Sequence, residues 1–203
     1  MVLLAIGVTP DTHLAKDAGL RLGIRGSIAV NELMETSVPD IYAVGDAVEV
    51  THFVTAQKAL ISLAGPANKQ GRIAADNICG GNSRFHGSQG SSVLKLFGLT
   101  AASTGINEKA AQAAGIAYDK VVLFPASHAT YYPGAQSMAM KVLYEKESLR
   151  LLGAQIVGGD GVDKRIDVLA TAIRAKMTAL ELTELDLSYA PPYSSCLLYT
   201  SDA

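Results

Sequence analysis

Long apolar runs are missing. Nothing in these 203 residues approaches the roughly 18 consecutive apolar positions that a membrane-spanning helix needs. The apolar start, MVLLAIGV, is too short for a signal peptide and has no basic flank. Charge of neither sign dominates. The net charge is −2, which gives no electrostatic case for nucleic acid or an anionic membrane surface. Cysteine is scarce as well: Cys79 and Cys196 lie far apart and match no metal-ligand or redox spacing. A reducing, cytoplasmic compartment is therefore the expectation. No G-x-G-x-x-G fingerprint occurs, GPANKQG is not a phosphate-binding P-loop, and there is no internal repeat. What is present is material for a core, with 49% hydrophobic against 18% charged residues. That balance argues against global disorder and suits one large domain or two small ones.

The pattern along the chain predicts two parts. Val2 to Ile6, ended by Gly7, reads as a buried strand. Pro10 opens a short helix over about Asp11–Ala18, closed by Gly19. GIRGSIAVN reads as a turn into a short strand, and Ile41–Val44 as another buried strand. A helix follows over Pro66–Ile78, with Ala67, Ile73, Ala74 and Ile78 largely on one face and Gly80-Gly81 as its stop. GGNSRFHGSQGSS, rich in Gly, Ser and Asn, is the expected boundary, giving segments 1–82 and 83–195. Beyond it come a strand over Val93–Leu99, a helix over Asn107–Ala114 capped by Asn107, and strands over Val121–Phe124, Met138–Tyr144 and Leu149–Val157. Asp160 can cap a last helix striped by Val162, Ile166, Leu169, Ile173 and Met177. The order is that of a small α+β domain. Residues 196–203, CLLYTSDA, break the character of what precedes them. They resemble the translation of a sequencing-library transposon adapter, and they are set aside as a scar with Cys196 and Tyr199.

One stretch, TSVPDIYAVGDA (Thr36–Ala47), holds a carboxylate just past a strand-like run. Gly45 lets a ligand or another backbone come close, and ligands of open α/β sheets gather beyond strand carboxyl ends. Asp46 there could hold a sugar-alcohol hydroxyl. On pattern alone, an Asp that caps the next turn is the favoured explanation, since Gly-Asp is a common loop dipeptide.

The wider residues add a resemblance. TSVPDIYAVGDA is similar to the second flavin motif of the FAD-dependent pyridine nucleotide-disulfide oxidoreductases, and LLAIGVTP to the segment that closes their nicotinamide domain. LAGPANKQGRIAADNI resembles the family helix whose first turn faces the flavin pyrimidine ring. The resemblance implies the end of a doubly wound FAD/NAD(P)-binding region (α/β) followed by an α+β dimerisation domain. It implies that Asp46 bonds the ribityl chain, that the Ala47 N–H reaches the pyrophosphate beside Gly45, and that Gly65, Pro66 and Ala67 form the turn at the flavin ring. A helix start there would favour the negative charge of reduced flavin.

PANKQGR, SHATYYPGA and SYAPPYSS look most like the coenzyme A-disulfide reductase branch, some of whose members carry a rhodanese domain and reduce persulfides. Carried over, Tyr131 and Tyr189 become the tyrosines that reach the partner subunit's redox cysteine in a homodimer, and Asn68 a residue near coenzyme A. Tyr132 competes with Tyr131 for the first of these positions. In the whole enzyme so implied, NAD(P)H reduces FAD, and the electrons pass to one cysteine held as a mixed disulfide with coenzyme A. That cysteine belongs to an N-terminal region outside this chain, so the chain alone is expected to be inactive. Two other readings stay open: an NADH oxidase or peroxidase of the same family, and a non-catalytic dimerisation module. His128, Lys69, Arg72 and Cys79 are weaker candidates, each explained as well by a structural or solvated role.

Overall fold

The computed structural model describes Val2, Leu4 and residues 7–194. The strand expected over Val2–Ile6 and the segment 196–203 fall on or largely on residues outside these; Val2 and Leu4 themselves are exposed. The chain packs as two units, which divide between Ser88 and Gln89.

In the first unit α1 (His13–Asp17) occupies the middle of the expected helix, and Gly19 leaves it at φ +74°. The two short strands expected after it do not form ladders. Leu22, Ile28 and Val48 are joined by isolated bridges, and Tyr42 by one bridge to Glu35. Ile41 and Val44 are exposed, so apolar and β-branched content did not make a buried strand where, among the described residues, no neighbouring ladder takes its backbone groups. The described sheet of this unit is the antiparallel pair β1 (Val50–Thr51) and β2 (Lys58–Ala59).

Helix α2 (Ala64–Ile78) starts two residues before the expected Pro66, which sits inside its first turn. Its buried face is polar where an apolar stripe was expected: Gln70, Ala74 and Asn77 point inward, while Ile78 is exposed. Asn77 satisfies itself there, donating to Leu33 O and Ser83 O at 2.9 Å each and accepting from Ser83 N–H at 2.8 Å. Phe85 closes the core of Val30, Met34, Val48, Val50 and Ala74, and its N–H donates to Glu32 O at 2.8 Å. This anchoring holds residues 83–88 in the first unit, beyond the Gly80-Gly81 break where the composition shift begins.

The second unit is a five-stranded antiparallel sheet in the order β3-β4-β7-β6-β5. Its strands are β3 (Ser92–Leu96), β4 (Leu99–Gly105), β5 (Tyr118–Leu123), β6 (Ala139–Glu145) and β7 (Leu151–Gly158), with α3 (Glu108–Ala113) after β4 and α4 (Val162–Arg174) after β7. The single strand expected over Val93–Leu99 is a hairpin: it turns at Phe97-Gly98, and β4 follows. Asn107 caps α3 as expected, its Oδ1 accepting from Ala110 N–H at 2.9 Å. The cap position of α4 falls to Gly161 at φ +71°, and Asp160 instead accepts the Gly161 N–H at 2.9 Å. Val162, Ile166, Leu169 and Ile173 are buried as the stripe predicts, whereas Met177 lies past the helix end. Helix α4 packs on β4 and β7, over Ala102, Ala154 and Ile156.

Glu108 ties α3 to the sheet. Its two oxygens meet Lys120 Nζ at 2.6 Å and Lys141 Nζ at 2.9 Å. The hydrogen bond from Lys120, then that from Lys141, holds its carboxyl at about 2 against an ordinary 4.5. A carboxyl lowered by folding stabilises fully above its unfolded value, and that stability is lost as pH falls through the folded one. The contribution therefore fades between about pH 4.5 and about pH 2. Glu108→Gln is expected to flatten the pH dependence of the thermal midpoint across that window. Parallel profiles for the two proteins would show the network to be uncoupled from folding.

Candidate functional site

Two groups of predicted residues are placed, one in each unit. In the first unit Gly45–Ala47 forms a single 3-10 turn. Gly45 adopts φ +85°, a left-handed value that glycine takes without strain, and a Cβ built on it would meet nothing within 4 Å. The turn is pinned from two sides. Gly45 N–H donates to Gln70 Oε1 at 2.7 Å, and Ala47 O accepts from Ile28 N–H at 2.8 Å. Gln70 is buried on α2, so the Gly-Asp turn and that helix are one hydrogen-bonded piece. Asp46, at the middle of the turn, is exposed.

Helix α2 opens with Leu63 in the cap position and no side-chain cap. The N–H groups of Ala64 and Gly65 belong to the first turn, which intrahelical carbonyls cannot serve. Pro66 has no N–H, and that of Ala67 goes to Leu63 O at 3.2 Å. An exposed carboxylate on a pinned turn, with an uncapped helix start on the same hydrogen-bonded piece, fits a ligand with hydroxyl donors and a negatively polarised ring. Asn68 is exposed and folds back along its helix, its Nδ2 donating to Ala64 O at 2.9 Å. Lys69 and Arg72 are solvated, and Cys79 is exposed at the helix end.

In the second unit the tyrosines come together. Tyr131 and Tyr189, 58 residues apart in sequence, place their hydroxyls 3.2 Å from each other, Tyr131 largely and Tyr189 about half exposed. Tyr132 does something else: its ring stands edge-on to His128, centroids 5.7 Å apart at 87°. His128 is buried, with Nδ1 3.1 Å from Ala129 O, in keeping with a structural role. The loop that carries Tyr131 is tied to the segment that carries Tyr189 by Ala129 N–H donating to Pro191 O at 3.1 Å.

The same loop is fastened to α4 by Arg165. This guanidinium, 3% exposed, donates to Ser127 O at 2.7 Å and to Gly161 O at 2.9 Å. Sequence reasoning missed Gln70 and Arg165. Helical spacing could have found both, since Gln70 falls three after Ala67 and four before Ala74, and Arg165 three after Val162. When one phenol donates to another, the accepting phenol keeps its own proton for a third group. An exposed pair of this kind can offer a hydrogen bond to a sulfur anion or protonate a leaving thiolate. Among the described residues no cluster of three or more His, Cys, Asp or Glu is placed to hold a metal, and no helix is long and apolar enough to cross a membrane.

Comparison with known proteins adds to this geometry. Residues 92–198 match the family model described as the pyridine nucleotide-disulphide oxidoreductase dimerisation domain, and residues 1–71 match that of the pyridine nucleotide-disulphide oxidoreductases. The structure of reduced Bacillus anthracis CoADR-RHD superposes with a TM-score of 0.91 at 54% identity, over 95% of this chain and 35% of that one. A NAD-dependent persulfide reductase from A. fulgidus gives 0.92 at 48% identity, over 95% and 36%. An NADH oxidase of Methanocaldococcus jannaschii is 40% identical over 197 residues, 96% of this chain and 43% of the relative. The chain thus spans less than half the length of the curated relatives it matches.

Proposed function

Since the chain belongs to the pyridine nucleotide-disulphide oxidoreductases, we propose that it is the C-terminal part of a flavoprotein that uses NAD(P)H to reduce coenzyme A-disulfide or a persulfide. The carrying observation is the Tyr131–Tyr189 pair, 3.2 Å between hydroxyls. A bulky thiol acceptor needs a wall of donors beside the reacting sulfur. An acceptor as small as dioxygen does not.

FAD, when bound, supplies the two-electron chemistry between nicotinamide and disulfide. This chain's own residues hold it and shape the acceptor site. Asp46 would accept from the ribityl hydroxyls, with Gly45 leaving room for the chain, and the Ala47 N–H would serve the pyrophosphate. Gly65, Pro66 and Ala67 at the start of α2 would serve the ring, where the N–H groups of Ala64 and Gly65 would favour negative charge. Asn68 would serve coenzyme A. Tyr131 and Tyr189 of one protomer donate to the sulfur at the partner's redox cysteine, so the acting species is a homodimer. The thiolate is the competent nucleophile at each turnover, and a phenol that hydrogen-bonds it keeps it in place and ionised.

The Methanocaldococcus relative supports a second reading, an oxidase on the same frame. One experiment separates them. The full-length protein is supplied with NAD(P)H and either coenzyme A-disulfide or dioxygen, and its cysteines are searched by mass spectrometry for a coenzyme A adduct. Disulfide turnover with an adduct supports the reductase; faster turnover on dioxygen without one decides for the oxidase. In the same protein Asp46→Ala is expected to weaken FAD retention by roughly ten- to a hundredfold, the worth of a hydrogen bond to a charged acceptor. Unchanged flavin content would remove Asp46 from the site under either reading.

A further inference from the structure

We propose that Arg165 is a positioning residue for the phenol pair: through the Ser127 carbonyl it sets where the Tyr131 and Tyr189 hydroxyls stand. This deepens the proposed function and rests on its reading of the pair as the acceptor site.

Arg165 occupies an unusual place for a charge. It falls three residues after Val162 and four before Leu169, on the buried stripe of α4, and is 3% exposed. An apolar side chain there would continue the stripe, whereas a buried guanidinium brings a desolvation cost. It also borders a cavity of about 420 Å³ whose walls include Met140, Leu169 and Leu182, so a methionine in its place would find apolar surroundings and room. What the guanidinium adds is direction. Nη2 donates to Ser127 O at 2.7 Å and Nη1 to Gly161 O at 2.9 Å. The backbone makes way for this fork. Gly161 stands at φ +71°, and a Cβ there would overlap Arg165 Nη1.

Ser127 lies where the 125–137 loop, between β5 and β6, leaves the sheet. Ala126 still bridges Ser137. Ser127 N–H donates to Gln136 O at 2.8 Å, and its Oγ accepts from Gln136 N–H at 3.1 Å. The Ser127 carbonyl accepts from no group but Arg165 among the described residues. Two residues on, Ala129 N–H donates to Pro191 O at 3.1 Å. Tyr131 comes two residues after Ala129, and Tyr189 two before Pro191. Both phenols are therefore carried by one backbone hydrogen bond, and Arg165 fixes the chain just ahead of it. Ser127, His128 and Ala129 are all buried, so a shift at Ser127 is passed along the chain. Removing the donor leaves a buried carbonyl unpaired, which the loop relieves by moving. The hydroxyls, 3.2 Å apart, are at the moving end. A misplacement of about 1 Å can cost a positioned group up to roughly a hundredfold in rate.

The test is a double-mutant cycle in the full-length protein, with stopped-flow measurement of both half-reactions. Arg165→Met is expected to slow disulfide reduction roughly tenfold and to leave flavin reduction by NAD(P)H unchanged. Added to the Tyr131→Phe, Tyr189→Phe double variant, it should slow disulfide reduction no further, because the groups it positions are gone. A residue that only supports the fold would act alike in both backgrounds. Arg165→Lys keeps the charge and a donor but not the fork, so it should recover part of the loss. It also keeps the test open if methionine unfolds the unit. A second readout needs no turnover. In protein labelled with 3-fluorotyrosine, the fluorine resonances of Tyr131 and Tyr189, assigned from the Phe variants, should both shift in Arg165→Met, while that of Tyr118 on β5 stays. Equal slowing in both backgrounds, or unshifted resonances in a folded variant, would overturn the positioning role. If the Phe double variant itself reduces disulfide at the wild-type rate, the acceptor reading of the pair fails, and the fluorine shifts still decide whether Arg165 holds the phenols.

Discussion

Removing both phenol hydroxyls, with Tyr131→Phe and Tyr189→Phe in the full-length protein, is expected to slow disulfide reduction by roughly a hundred- to a thousandfold, within the usual span of a positioned proton donor. Reduction of the flavin by NAD(P)H should be unchanged, because no phenol takes part in hydride transfer. The two hydroxyls lie 3.2 Å apart, so they share a proton network and the single changes should not add. With Tyr131 gone, the Tyr189 hydroxyl can turn its own proton outward and keep part of the effect; the converse holds for Tyr131. Each single variant is therefore expected to lose about tenfold, and the double to lose more than the product. Tyr132→Phe is the internal control. Its ring packs edge-on to His128, and losing its hydroxyl should leave both half-reactions alone. Stopped-flow measurement of the two half-reactions decides the matter. If the double variant reduces disulfide at the wild-type rate, the pair serves only to join the 125–137 loop to the C-terminal segment.

The same pair shows what the sequence could and could not convey. Two tyrosines 58 residues apart carry no pattern that joins them; only the resemblance put them together, and it left Tyr131 and Tyr132 unresolved. The geometry separates them by their partners. Helices were legible where apolar spacing is the signal, as in α4, whose stripe runs from Val162 to Ile173. They were less legible where polar side chains are turned inward. The buried face of α2 carries Gln70 and Asn77, which hold the Gly45 turn and the Ser83 backbone. An apolar stripe sought on that helix picks up Ile78 instead, which the fold leaves in solvent. Strand β4 escaped for a related reason. Its TAASTG run is small and polar, yet Ala102 and Thr104 are buried. Thr104 stays satisfied through Gln89 and Ser91, and close packing against α4 needs small residues there. In the first unit, short strand-like runs met no ladder partners among the described residues and stayed as single bridges. Strand propensity expresses fit to a half-buried pleated surface, so it has nothing to act on where no neighbouring strand provides one.

Close packing of backbone on backbone gives the largest expected effect on stability. Gly153 sits within β7, paired with Gly105 on β4 and Leu143 on β6. A Cβ added there would stand inside the van der Waals envelope of Ile106 O and 2.6 Å from Ile106 N. Neither atom belongs to a flexible side chain. Ile106 N–H also donates to Leu152 O at 3.0 Å, which fastens the crossing. Gly153→Ala must therefore push the chain entering α3 off the sheet, and with it the Asn107 cap and the Glu108 ion pairs. The expected cost is about 3 kcal/mol or more, at the upper end of overpacking effects. Gly71→Ala carries the opposite expectation. Gly71 lies inside α2 and a Cβ there would meet nothing within 4 Å. It should stabilise the first unit by about 0.5–1 kcal/mol, because alanine loses less freedom than glycine on entering a helix. Urea unfolding of the two variants, read against the wild type, checks both signs at once. A Gly153→Ala protein that unfolds at the wild-type midpoint would mean that the Ile106 crossing gives way freely, and that α3 does not hold down its half of the sheet.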